Sequence, residues 1–151
     1  MDKFYYKEMS GKLKIGIVLE SGYKEYGLTA DMQNCIHITD RIYFENALLT
    51  YPASQQMTQE EIDCFVEGIR LVSDRIEKVL SKDKVLISLY SIHFSDCDIQ
   101  KESFTAAAIQ WASEIFDFPM VKVPVKWVTA KESDSNAVLG HYKYDFSVVL
   151  H

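Results

Sequence analysis

Two stretches of this chain repeat at the helical period, and its other patterned stretches alternate like strands. That imbalance restricts the fold more than any other feature. Two helices cannot cover both faces of a sheet of about five or six strands, so both belong on one face. The first helical stretch opens with Thr58-Gln59-Glu60-Glu61, a capping box. The threonine oxygen can accept from the backbone N–H three residues on, and Glu61 can reach back to the threonine N–H. Ile62, Phe65, Val66, Ile69, Val72, Ile76, Val79 and Leu80 come next at three- and four-residue steps. They predict one apolar stripe on a helix of roughly six turns. Glu67, Arg70, Asp74, Glu77 and Lys78 form its solvated face. The second helix is expected from about Gln100 to Phe116, with Phe104, Ala107, Ala108, Trp111 and Ile115 as its stripe. The alanines at 106–108 allow close packing against a sheet.

The alternating stretches supply the sheet. In 12–20, Leu13, Ile15, Ile17 and Leu19 point one way, and Lys12, Lys14 and Glu20 the other. Residues 20–34 hold Gly22, Gly27 and Asn34 and read as a long loop or a hairpin whose second strand passes Tyr23 and Tyr26. Residues 35–51 are β-like, as one strand or two, with Ile36 and Ile38 facing together and Ile42, Phe44 and Leu48 continuing the pattern. In 80–94, Val85, Ile87 and Leu89 oppose Leu86, Tyr90, Ile92 and Phe94. Apolar residues on both sides imply an interior strand. A strand over 116–128 has Val121, Val123, Val125 and Trp127 on one face and an edge or bulge at Pro124. After a polar connection over 129–140, residues 141–150 alternate again and complete a hairpin. The expectation is one α+β domain over 1–151. It is a two-layer sandwich, a mixed or antiparallel sheet of about five or six strands with two helices on one face. The other face stays open to water, a partner or a second copy.

The 151 residues suit one core, and the net charge of −6 with a pI near 5.2 weighs against two partner classes. Nucleic acid needs a basic footprint, as does an anionic membrane surface. The polar start MDKFYYKEMSGK has no apolar signal region, and no stretch approaches the length of a membrane span. Cys35, Cys64 and Cys97 are odd in number and form no CxxC. A reduced, cytoplasmic setting is expected. Cys64 reads as a small buried hydrophobe.

YSIHFSDCDIQKESF, residues 90–104, gathers His93, Asp96, Cys97, Asp98 and Glu102. Read locally, it ends a strand, and Asp96 or Asp98 caps the second helix. The competing reading is a metal-assisted hydrolase with His93, Asp96, Asp98 and Glu102 as ligands. Its H-x-x-D-x-D spacing matches no strong metal signature. Cys97 lies between two carboxylates, which weakens it as a nucleophile. No phosphate-binding glycine loop or nucleophile elbow is present. His37 reads as a polar residue lining a sheet face. No cofactor is expected.

The segment VLISLYSIHFSDCDIQKESFTAAAIQWASE, together with the capped helix before it, resembles domain IV of elongation factor G. There a strand leads through a His- and Asp-containing turn into an alanine-rich helix. The resemblance covers about 35–116 and implies a sheet with two helices on one face. It carries no functional residue, because the nucleotide-binding and ribosome-facing parts have no counterpart here. By type, a small acidic cytoplasmic α+β chain resembles the bacterial immunity proteins that neutralise polymorphic toxins. That resemblance implies a protein partner, a basic toxin domain, covered at its active site. Tyr23, Glu25 and Tyr26 in the early loop and Glu132 and Asp134 in the late one are the candidate contacts. Besides the hydrolase, the alternative is a self-assembling subunit, a homodimer formed through the open face or the edge near Pro124.

Overall fold

The computed structural model describes residues 3–10, 13–48, 54–95, 99–129 and 140–150. The fold is α+β. Five strands make one mixed sheet in the order β1-β2-β5-β4-β3. They are β1 (Lys3–Ser10), β2 (Leu13–Tyr26), β3 (Ile36–His37), β4 (Ile42–Asn46) and β5 (Lys84–Phe94). β5 runs antiparallel to β2 and parallel to β4. The parallel pair needs a crossover, which the first helical stretch provides.

β1 was not foreseen. Its Phe4 and Tyr6 turn into the core, while Lys3, Tyr5 and Lys7 turn outward. Residues 20–26 are neither loop nor hairpin, for β2 continues through them for 14 residues in all. Gly22 sits in mid-strand opposite Ser88, and a Cβ there would lie 3.6 Å from the Tyr90 ring. Residues 35–51 contain two strands. Thr39 closes the turn between them by accepting from the Arg41 and Ile42 N–H groups at 3.2 and 3.1 Å. Arg41 then donates to the carbonyls of Asp83, Lys82 and Glu77 at 3.0, 2.9 and 3.3 Å. One guanidinium fork thereby ties this turn to the loop leading into β5.

β5 is interior, as expected, but for a different reason. The register steps from Ser21↔Leu89 to Glu20↔Ser91, so β5 carries one extra residue, Tyr90. A β-bulge of this kind reverses the in/out parity of the residues after it. Val85, Ile87 and Leu89 are buried before it, and Ile92 after it, all on one core face. Past Asn46, where β4 ends, Ser54 and Gln55 take over the exposed edge of β5. The Ile92 N–H donates to Ser54 Oγ at 3.0 Å, Gln55 N–H to the Ile92 carbonyl at 3.1 Å, and Phe94 N–H to Gln55 Oε1.

The expected first helix is two, α1 (Gln59–Leu71) and α2 (Ser73–Val79), broken at Val72 with φ −110° and ψ 15°. The capping box is formed. Glu61 N–H donates to Thr58 Oγ1 at 3.2 Å and Thr58 N–H to Glu61 Oε1 at 2.8 Å. α3 (Lys101–Ile115) lies beside α1. Their contact is close because Gly68 of α1 has no side chain. A Cβ there would overlap the Thr105 carbonyl oxygen and come within 2.8 Å of Ala108 Cβ. The alanine run therefore serves helix–helix as well as helix–sheet packing. Residues 103–109 and 111–113 of α3 are all buried, the mark of a helix covered on nearly every side. Ile115, expected in the stripe, is 41% exposed instead. Gln100, rather than an aspartate, is the residue before α3, and its N–H donates to Ser103 Oγ at 3.3 Å. Asp96 and Asp98 lie outside the described residues.

Both helical stretches cover one sheet face. Phe65 of α1 meets Phe44 of β4 at 5.7 Å between ring centres, and Phe104 of α3 meets Phe94 of β5 at 5.0 Å. The expected hairpin forms a separate two-stranded sheet, β6 (Val125–Thr129) with β7 (Gly140–Tyr144). Val121 and Val123 precede β6 instead of lying in it, and Trp127 is exposed. After β7, residues Phe146–Leu150 form a 3₁₀ turn, not the strand their alternation suggested. The hairpin docks on the helices. Gln100 exchanges two bonds with the Tyr142 backbone, at 2.6 and 2.7 Å, and Ser103 Oγ meets Tyr144 OH at 2.7 Å. Arg75 of α2 donates to the Val149 carbonyl at 2.8 Å.

Candidate interaction surface

Because the helices lie on one side, the opposite sheet face carries no helix among the described residues. Cross-strand register sets out its residues. Lys24, Leu86, Tyr43 and His37 form one row across β2, β5, β4 and β3. Gly22, Ser88 and Glu45 form the next, then Glu20 with Ser91, then Tyr5, Val18 and His93. The two serines, Ser88 and Ser91, are buried, and the others are exposed or half-buried.

Tyr43 is the best-supported ring on this face. His37 stacks on it at 5.0 Å with planes 6° apart, and Lys84 Nζ stands 5.7 Å from its centre. The ammonium also donates to the Ala30 carbonyl at 3.2 Å. The phenol donates to the Asp40 carbonyl at 3.2 Å. Lys24 Nζ stands 5.4 Å from the centre of the Tyr26 ring. Cations placed over rings gain from the ring quadrupole and hold both groups in place. Ser88 Oγ donates to Glu45 Oε1 at 2.6 Å, which fixes a carboxylate one row along the sheet from Tyr43. Rigid tyrosines beside fixed charges are good anchors for a protein partner, because little side-chain entropy is lost on contact.

The candidate contacts foreseen from the sequence separate in space. Tyr23 and Tyr26 lie three positions apart on one strand and so face opposite ways. Tyr26 is on the open face. Tyr23 is on the helix side, its ring 4.4 Å from Phe116, beside a cleft of about 420 Å³ lined also by Phe4, Trp111 and Ile115. Glu25 has a structural role, for its Oε1 accepts from the Ser81 and Lys82 N–H groups at 2.6 and 3.0 Å. Glu132 and Asp134 lie outside the described residues. His37 was foreseen as a face-lining residue, and the face it lines is the open one. Tyr43 and Lys84 were not singled out. Their signal was alternation against Ile42, Phe44 and Val85, which places them opposite the core.

Of the hydrolase ligand set, His93 is exposed on the open face, while Glu102 lies in the first turn of α3, beside Cys64. Asp96 and Asp98 lie outside the described residues. Among the described residues no three histidine, cysteine, aspartate or glutamate side chains group as metal ligands. Burial pushes the Cys64 thiol above its ordinary pKa, and burial with Glu45 and Asp31 does the same to Cys35. Both are free thiols. Among the described residues no helix is long and apolar enough to cross a membrane.

No protein-family model matches the chain, and no curated protein and no solved structure matches it either.

Proposed function

We propose that this chain is a binding protein, in its most concrete form an immunity protein that covers the active site of a cognate basic toxin domain. The observation that carries the reading is the one-sided cover of the sheet, which leaves Tyr26 and Tyr43 outward among fixed charges. The net charge of −6 supports a basic partner, since the field of the whole chain speeds encounter with one. On the face itself the carboxylates of Glu20 and Glu45 stand among Lys3, Lys7, Lys24 and Lys84, so the charge argument rests on the whole chain and the tyrosines are the local anchors.

The test begins with capture of a partner from lysate of the protein's own source, followed by assay of that partner's activity with and without this chain. A single stoichiometric basic partner, inhibited on addition, supports the reading. Recovery of the bait alone defeats it. Tyr26→Ala with Tyr43→Ala is expected to weaken the complex by at least about tenfold, the scale of anchor residues. Tyr23→Ala, on the other side of the sheet, is the comparison. Unchanged affinity in the double variant removes the open face as the contact surface.

A further inference from the structure

β1 ends the sheet, and among the described residues β2 is the strand that pairs with it. Among the described residues no other backbone bond reaches its outer edge, whose N–H and C=O groups are the template that an added strand uses. Exposed apolar side chains gather at this same edge. Of nine large exposed hydrophobics among the described residues, Tyr5, Tyr23, Ile115 and Met120 line two clefts that share Lys3, Phe4 and Glu114. The cleft between β1 and α3, about 280 Å³, has Phe4, Gln110, Glu114 and Met120 in its walls, with Lys3 and Tyr5 at its β1 side. On the open-face side of the same strand stand Lys3, Tyr5 and Lys7, all exposed.

We propose that the outer edge of β1 takes an acidic, extended segment of a partner protein as a sixth strand of the sheet. Successive side chains of an added strand point to opposite faces. One set would enter the cleft beside Phe4 and Met120 and should be apolar. The other would lie opposite Lys3 and Lys7 and should be acidic, since opposite charges stabilise cross-strand pairs and like charges destabilise them. The same rule disfavours one pairing with a second copy. In the two-fold antiparallel register centred on Tyr5, Lys3 of each copy would face Lys7 of the other. This edge adjoins the open face and shares Lys3, Tyr5 and Lys7 with it, but β2 and β5 separate it from Tyr43 on β4 and its partner segment has the opposite charge, so its test stands apart from that of the toxin reading.

The probe is a capped seven-residue peptide alternating glutamate and valine, titrated into isotopically labelled protein and followed by amide shifts and intermolecular contacts. Saturable binding with contacts along residues 3–7 is expected. A lysine–valine counterpart should not bind. Lys3→Glu with Lys7→Glu should weaken the acidic peptide roughly tenfold and admit the basic one, a reversal that an unfolded variant cannot produce. A glutamate–valine peptide with alternate amides N-methylated should fail, because it cannot complete the ladder. No binding of the acidic peptide, equal binding of the methylated one, or shifts centred on Tyr26 and Tyr43 would each overturn the proposal. So would β1-to-β1 contacts in the protein alone, which would make a second copy the occupant.

Discussion

Replacing Gly68 with alanine should destabilise the protein although alanine is the better helix former. In an open helix the change would gain about 1 kcal/mol. Here the new methyl would overlap the Thr105 carbonyl oxygen and stand 2.8 Å from Ala108 Cβ. Ordinary carbon–carbon contacts need roughly 3.5–4.0 Å, so α1 and α3 must part by about 1 Å. Neither obstacle is a flexible side-chain end, since one is backbone and the other a Cβ. Overpacking of this sort costs about 1–3 kcal/mol. Parting the helices also stretches the bond from Thr105 Oγ1 to the Cys64 carbonyl, now 2.8 Å, at about 1 kcal/mol more. The net is a loss of about 2 kcal/mol, or about 4–8 °C in Tm for a chain of this size. Urea denaturation should show a lower midpoint at unchanged slope. Gly16→Ala is the control, because nothing lies within 4 Å of a Cβ there. A Gly68→Ala protein as stable as the wild type, or more so, would refute the claim that the helices touch through this glycine.

Thr58→Ala removes the side-chain half of the capping box on α1 and should cost about 1 kcal/mol, read as a shift of the denaturant midpoint. Asp145 accepts from the Ser147 hydroxyl and N–H at 2.5 and 3.0 Å, and these bonds hold its carboxyl below its usual pKa of 3.8. A lowered folded-state pKa means stabilisation that is full above the unfolded value and lost as pH falls through the folded one. Amide shifts of residues 146–150 should therefore hold steady at neutral pH and move only below pH about 4, and Asp145→Asn should abolish that movement.

Features carried by short-range chemistry were legible in the sequence. The Thr58–Glu61 box, the start of α1, the strand through Leu19 and the pairing of the last two strands all rest on local pattern. Features set by tertiary partners were not. β1 alternates between Phe4 and Tyr6 on one side and Lys3, Tyr5 and Lys7 on the other, but its tyrosine on each side blurs the contrast. Gly22 reads as a turn because its sequence cannot show the Tyr90 ring lying over it. Ile76 keeps the helical period across Val72, so the break there leaves no trace in the apolar stripe. The final 146–150 stretch alternates like a strand, yet Arg75 and Asp145 bind it as a 3₁₀ turn. Of the two tyrosines on the open face, Tyr26 was singled out from the sequence, as a loop residue, and Tyr43 was not. Its role depends on His37 and Lys84, which only the register brings alongside.

The bulge in β5 also bears on how this strand can change by insertion and deletion. Omit Tyr90, and the strand reads Val85, Ile87, Leu89, Ile92 and Phe94 inward, with Leu86, Ser88, Ser91 and His93 outward, in unbroken alternation. A chain shorter by one codon could keep every inward side chain of this strand in the same core. The extra residue is therefore separable from the core's packing, and it adds a tyrosine on the outer face above Gly22. Lineages could gain or lose that ring in a single step, leaving the buried half of the strand as it was.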